Sequence, residues 1–149
     1  MIVKDGAKVF IKNNQLGKYL FFLRDDKPTI PNPNMYGLLG GGIEAGETPL
    51  EALEREIKEE SNIEVYNIEE LGEKIFNHIV IKEDGSQEPA PAKVFHFLAQ
   101  TDATLDGAEL FEGQRLEYFT LEDALKKNLA PAVRVAIKEY RERLDQFCG

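Results

Sequence analysis

Three carboxylates, Glu56, Glu59 and Glu60, crowd the end of the segment TPLEALEREIKEESN, residues 48–62. If the segment is a helix, Glu56 meets Glu59 and Glu60 as like-charge neighbours, each pair costing ~0.2–0.5 kcal/mol. Acids in a last turn also oppose the helix dipole, at a further ~0.3–1 kcal/mol each. The opposite face is balanced, because Glu51–Arg55 and Glu54–Lys58 are favourable pairs one turn apart. The unbalanced acids therefore point to a ligand. Clustered carboxylate oxygens suit a hard divalent cation such as Mg²⁺, whose charge would reverse the sign of each penalty. Upstream, Gly40-Gly41-Gly42 can bring backbone carbonyls close to the same ion.

These groups need elements to position them. Thr48-Pro49-Leu50-Glu51 is a capping box with proline at the first helical position. Leu50, Leu53 and Ile57 form an apolar stripe facing the core, and Asn62 is expected to end the helix in the left-handed conformation. Residues 7–12 (AKVFIK) and 18–24 (KYLFFLR) predict strands around NNQLG. DDKPTIPNPN is a loop, because proline removes donors and restricts its neighbours. MYGLLG is a short apolar piece. IEVYNI and EKIFNHIVIK predict two strands, EDGSQEPAPA a turn, and KVFHFLAQ another strand. TDATLDGAELFEGQ is a polar loop and RLEYFT a last short strand. LEDALKK and PAVRVAIKEYRERLDQF predict helices. The order gives an α/β (α+β) fold, a mixed sheet with helices layered on it.

The 149 residues fit one domain, 1–149, with 42% hydrophobic and 30% charged residues. A net charge of −9 and no basic run argue against a nucleic-acid duplex or an anionic membrane as partner. A lone cysteine, Cys148, can build neither a disulfide framework nor a thiolate metal site. The start MIVKDGAKVFIKNN has no signal-peptide pattern. A reducing, cytoplasmic setting is expected.

The glycine loop and the acidic helix together resemble the Nudix box. That pattern is Gly, five free positions, Glu, seven free positions, then Arg-Glu-apolar-x-Glu-Glu-x-Gly-apolar. Gly41, Glu47 and the run Arg55 to Ile63 match it, with Asn62 in the place of the last glycine. Leu39 stands where many members have proline. The resemblance implies an α/β/α sandwich with a mixed sheet. It also implies Mg²⁺- or Mn²⁺-dependent hydrolysis of a phosphoanhydride in a nucleoside diphosphate linked to another group. Glu56, Glu59, Glu60 and the Gly40 carbonyl would hold the metal, and Arg55 and Glu47 would pair to hold the loop on the helix. The general base would be Glu56, or Glu112 on the loop LDGAELFEGQ, with Glu109 and Glu117 as competitors.

Arg24, before the proline-rich loop, is the candidate contact for substrate phosphate. Tyr36, Phe22, Phe76 and Phe111 could stack on a base, although strand aromatics more often fill cores. His78, His96 and Cys148 receive no role. Known marks for ADP-ribose, diadenosine polyphosphates, NADH and coenzyme A have no clear match, which leaves a nucleoside triphosphate or nucleotide sugar. Two rival readings are a non-catalytic nucleotide sensor, expected to lose box acids, and an isopentenyl-diphosphate-isomerase-like protein, expected to need a pocket cysteine. Family members are often homodimers.

Overall fold

Strand β1 (Gly6–Asn13) is the hub of the structure, a computed structural model that describes residues 4–147 apart from the side chains at 78, 79 and 81. Cys148 and the His78 side chain therefore lie outside the described residues. β1 runs parallel to β6 (Gln87–Thr101) along its whole length. On its other side it meets β4 (Leu39–Gly42) with its first half and β2 (Lys18–Leu23) with its last residues, both antiparallel. β3 (Tyr36–Gly37) and β7 (Arg115–Phe119) pair with β2, and β5 (Tyr66–Ile81) pairs with β6. The result is a seven-stranded mixed sheet.

Alternation along β1 feeds two cores. Ala7, Val9 and Ile11 pack with Leu53 and Ile57 of helix α1 (Pro49–Glu60). Phe10 packs on the other face with Ala136 and Ile137 of α3 (Pro131–Gln146), beside the short α2 (Leu121–Leu125). Helices on both faces make the expected α/β/α sandwich. Lys8 shares Phe10's side of the strand.

Three local expectations need correction. From Tyr66 onward the two segments IEVYNI and EKIFNHIVIK run together as one strand, β5, with register shifts near Tyr66–Gly72, while 63–65 lie outside it. EDGSQEPAPA is mostly strand, with the turn confined to its start. Pro89 and Pro91 fit there because β6 pairs only with β5 before Val94. Their missing N–H groups fall on the unpaired side, where the next alternate residue, Lys93, donates its N–H to Asp5. Leu50 is 40% exposed, because the buried arc of α1 is rotated toward Ala52 and Glu60.

The other end of α1 also departs from expectation. The capping box forms as predicted, with Thr48 and Glu51 bonded reciprocally. Asn62, however, does not take a positive φ, and the helix ends on an extended Ser61. The Asn62 side chain instead donates to the Gly107 carbonyl at 2.9 Å and accepts from the Glu109 N–H at 2.8 Å. It clips a distant loop to the helix end.

Candidate active site

Arg55 ties the glycine loop to the acidic ridge. Its guanidinium grips both oxygens of Glu47, at 2.7 and 3.0 Å, and donates to the Gly42 carbonyl at 2.9 Å. A further N–H donates to Glu56 at 3.0 Å and to Glu59 at 3.2 Å. The bond to Glu47 is the main reason the Arg55 pKa is raised and the Glu47 pKa lowered. A planar fork is suited to this many acceptors, and lysine would lose most of them.

The glycines are there for close approach. Gly40 has φ +129°, and a Cβ on it would fall 2.0 Å from the Ala7 carbonyl oxygen. A Cβ on Gly41 would meet the Glu56 carboxyl carbon at 2.5 Å. The Glu56 carboxylate thus lies flat against the loop. Glu60 is buried and accepts the Gly40 N–H at 2.8 Å. Burial, reinforced by the charges of Glu56 and Glu112, pushes its carboxyl up to about 7 despite the opposing pull of Lys8 and the Gly40 amide.

Lys8 is the residue that sequence reasoning missed. Its ammonium donates to the Gly40 carbonyl at 3.1 Å. Burial lowers its pKa, while Glu60, Glu56 and Glu112 act in the opposite sense. The available signal was a charged side chain in the interior of GAKVFIKN, an apolar strand covered on both faces.

Glu112 belongs to the same electrostatic neighbourhood, since it raises the pKa of both Glu60 and Lys8. Its loop is fastened at several points. The Phe111 N–H donates to the Glu60 carbonyl at 2.7 Å, and Leu110 bridges to Ser61. Beyond it, Gly113 at φ +100° lets the backbone press on β2, and Gln114 bonds to Leu23, Arg24 and Asn34. The two competing acids are placed differently. Glu117 on β7 accepts from Tyr36 Oη at 2.8 Å and from Arg115. Glu109 is exposed, and its backbone is engaged by Asn62.

The donors are all hard oxygens, as a divalent ion of the Mg²⁺ class requires. Among the described residues no three acidic, histidine or cysteine side chains are gathered tightly enough to hold an ion in this arrangement. Glu59 is turned outward onto Arg55, and Lys8 stands at the carbonyl that would be a ligand. Glu56 and Glu60 border the Gly40–Gly41 backbone, so the chemistry of the donor set fits a metal.

On the α3 side of the sheet, next to Lys8, lies a cavity of about 210 Å³. Arg24, Phe76 and His96 line it. Arg24 donates to the Pro31 carbonyl at 3.1 Å. Phe22 and Tyr36 are core residues, whereas Phe111 is 58% exposed beside Glu112.

Residues 4–140 match the family model of the NUDIX domain. The chain belongs to that family, as a Nudix pyrophosphohydrolase. The E. coli dihydroneopterin triphosphate pyrophosphohydrolase has a similar structure, with TM-score 0.70 and 17% identity over 96% of this chain and 99% of that one. A C. elegans Ap4A hydrolase, solved as a binary complex, gives 0.65 and 22% over 96% and 100%. The NUDIX domain of Shewanella oneidensis NrtR, solved with ADP ribose, gives 0.68 and 18% over 97% and 90%. No curated protein matches the chain. Among the described residues no helix is long and apolar enough to cross a membrane.

Proposed function

We propose that this single domain hydrolyses a phosphoanhydride in a nucleoside diphosphate linked to another group, with Mg²⁺ or Mn²⁺ as cofactor. The observation that carries this reading is the Arg55 knot. One side chain holds Glu47, Gly42, Glu56 and Glu59 together, so the loop carbonyls and the ridge acids form one unit. Gly40, Glu56, Glu59 and Glu60 would hold the metal, which when bound would neutralise the diphosphate and acidify a water. Glu112 is the favoured general base. It sits on a loop pinned to Glu60 and to β2, whereas Glu56 is already committed to Arg55. A base must be held within reach of the attacking water, and a fastened loop meets that demand. Arg24 is assigned to substrate phosphate.

The similar structures include proteins named for Ap4A and for dihydroneopterin triphosphate and one bound to ADP ribose. They support a nucleotide derivative as substrate, and a nucleoside triphosphate or nucleotide sugar is the class to try first. A phosphate-release screen over a nucleotide panel with Mg²⁺ tests the reading. Turnover of at least one phosphoanhydride, abolished by chelator, is expected. No turnover with either metal across the panel overturns it.

A further inference from the structure

Asn62 stands where the box pattern has glycine, and its side chain makes two bonds that a glycine could not. The amide oxygen accepts the Glu109 N–H at 2.8 Å, and the amide nitrogen donates to the Gly107 carbonyl at 2.9 Å. The Asn62 backbone N–H donates to the Glu109 carbonyl at 3.1 Å. Glu109 is thus held by both of its backbone groups, one on the main chain of Asn62 and one on its side chain. A side-chain amide offers an acceptor and a donor, as a peptide unit does. Here it adds a rung to the short ladder between the end of α1 and the loop. The other rungs are the bridge from Ser61 to Leu110 and the bond from the Phe111 N–H to the Glu60 carbonyl.

Apolar packing contributes little to this loop. Ala108 and Leu110 rest half-buried on the α1-side core, while residues 104–107, 109, 111 and 112 are exposed. Hydrogen bonds therefore carry much of what fixes its backbone. Downstream, the Gln114 N–H is bound to the Leu23 carbonyl at 2.8 Å, where β7 begins. Upstream, the short turn Leu105–Gly107 is tied to α1 by the Asn62 amide. Glu112 lies between these two moorings, one residue past the bond to Glu60.

We infer that Asn62 is a positioning residue for the reaction: by clipping residues 107–109 to the end of α1, it holds Glu112 at a fixed distance from the acidic ridge. The inference rests on the reading of Glu112 as general base, and it names what keeps that base in place. A base works only within about 2.6–3.2 Å of the proton it takes. A misplacement of about 1 Å can cost on the order of 10²-fold in rate. Asn62 is itself exposed, so its two bonds contribute modestly to global stability. Their loss should therefore be felt in turnover before it is felt in folding.

Asn62→Ala removes both side-chain bonds and keeps the backbone one. With a nucleotide that wild type hydrolyses, kcat should fall by about 10–100-fold while KM and Mn²⁺ affinity stay within about twofold. Asn62→Asp keeps the acceptor for Glu109, should fall between, and serves as the second variant if alanine does not fold. The decisive measurement is a double-mutant cycle with Glu112→Gln. If Asn62 acts through the base, adding Asn62→Ala to Glu112→Gln should lower kcat by less than about threefold more. An equal fall in both backgrounds overturns the inference and leaves Glu112 as the base. Full turnover by Glu112→Gln ends the base reading and the inference with it, while hydrolysis itself stands. Hydrogen exchange of the full chain gives a readout that needs no substrate. The amides of residues 107–112 should exchange about tenfold faster in Asn62→Ala, with those of Leu53 and Ile57 unchanged. Loop exchange equal to wild type overturns the inference whatever happens to kcat.

Discussion

Helices α1 and α3 cover opposite faces of one sheet and are finished in opposite ways. α1 has a full capping box at its start and acids at its end. α3 has a bare alanine at its start, with Arg143 in its last turn, where a cation suits the dipole. Each helix is therefore well made at one end and poorly made at the other. The poor ends are the two that border the site: the last turn of α1 at Gly40, and the first turn of α3 at the cavity with Lys8 and Arg24. Both poorly finished ends border the candidate site, one with negative charge and one with a positive helix end. Lys8 stands between them.

The largest effects should come from the acidic half. Glu112→Gln is expected to lower kcat by about 10²–10⁴-fold, the usual range for a general base. Mn²⁺ affinity, followed by calorimetry, should stay nearly intact. Unchanged turnover would move the role to Glu56. Glu60→Gln should lower both activity and metal affinity, each by about a hundredfold or more, beyond what a supporting partner of a ligand usually costs. If Glu60→Gln keeps its metal affinity, the buried end of α1 is structural and the contrast with α3 loses its meaning.

Arg55→Ala comes next. It frees Glu47, Gly42 and both outer acids at once, without removing a ligand. A loss of roughly 10–100-fold in metal affinity is expected, as for partners that orient ligands. Arg55→Lys should recover little of it, because an ammonium cannot reproduce the fork. Full rescue by lysine would show that charge alone matters there.

Much of the acidic half was legible in the sequence, because its logic is local. Glu47, Arg55, Glu56 and Glu60 are fixed by spacing on one loop and one helix. Glu112 was one of three candidate acids, with Glu109 in the same loop and Glu117 just after it. Only folding distinguished it, by tying Glu117 to Tyr36 and the Glu109 backbone to Asn62. Asn62 itself was read as a backbone terminator, whereas it acts through its amide on residues 45 and 47 positions later. The cationic half was mostly hidden. The missing cap before Pro131 could be seen in LAPAV, but not what it faces. Lys8, His96 and Gly40 meet only because β1 pairs with both β4 and β6.

A smaller effect separates the proton chemistry of the two halves. Glu60 has a folded pKa of about 7 against an ordinary 4.5. The folded state then binds the proton more tightly than the unfolded one. Stability from this group is complete below pH ~4.5 and is lost as pH rises through about 7. In chelator, Glu60→Gln should lack that loss. Subtracting wild-type from mutant stability cancels the contribution of His96, which both share. The difference should be near zero at pH 4.5 and grow to ~1–3 kcal/mol in favour of the mutant at pH 8. Denaturant melts at several pH values measure it. A difference that stays flat would mean the Glu60 carboxylate is well solvated in the folded protein.

The smallest change bears on the α3 half. Ala130 has φ −56° and ψ 137° at the N-cap, a geometry that a serine can use to accept an N–H of the first turn. Ala130→Ser adds one oxygen at a position that is only 6% exposed. If the bare start is a concession to the cavity, capping it should raise stability by about 0.5–1 kcal/mol in the absence of ligand. Denaturant melts of the two proteins measure the gain, and an unchanged midpoint would mean that the serine oxygen finds no N–H of the first turn to accept. A serine that destabilises would mean that packing against Tyr36 and Leu129 decides position 130, because these core neighbours leave no room for a hydroxyl. The helix end would then be governed by the core.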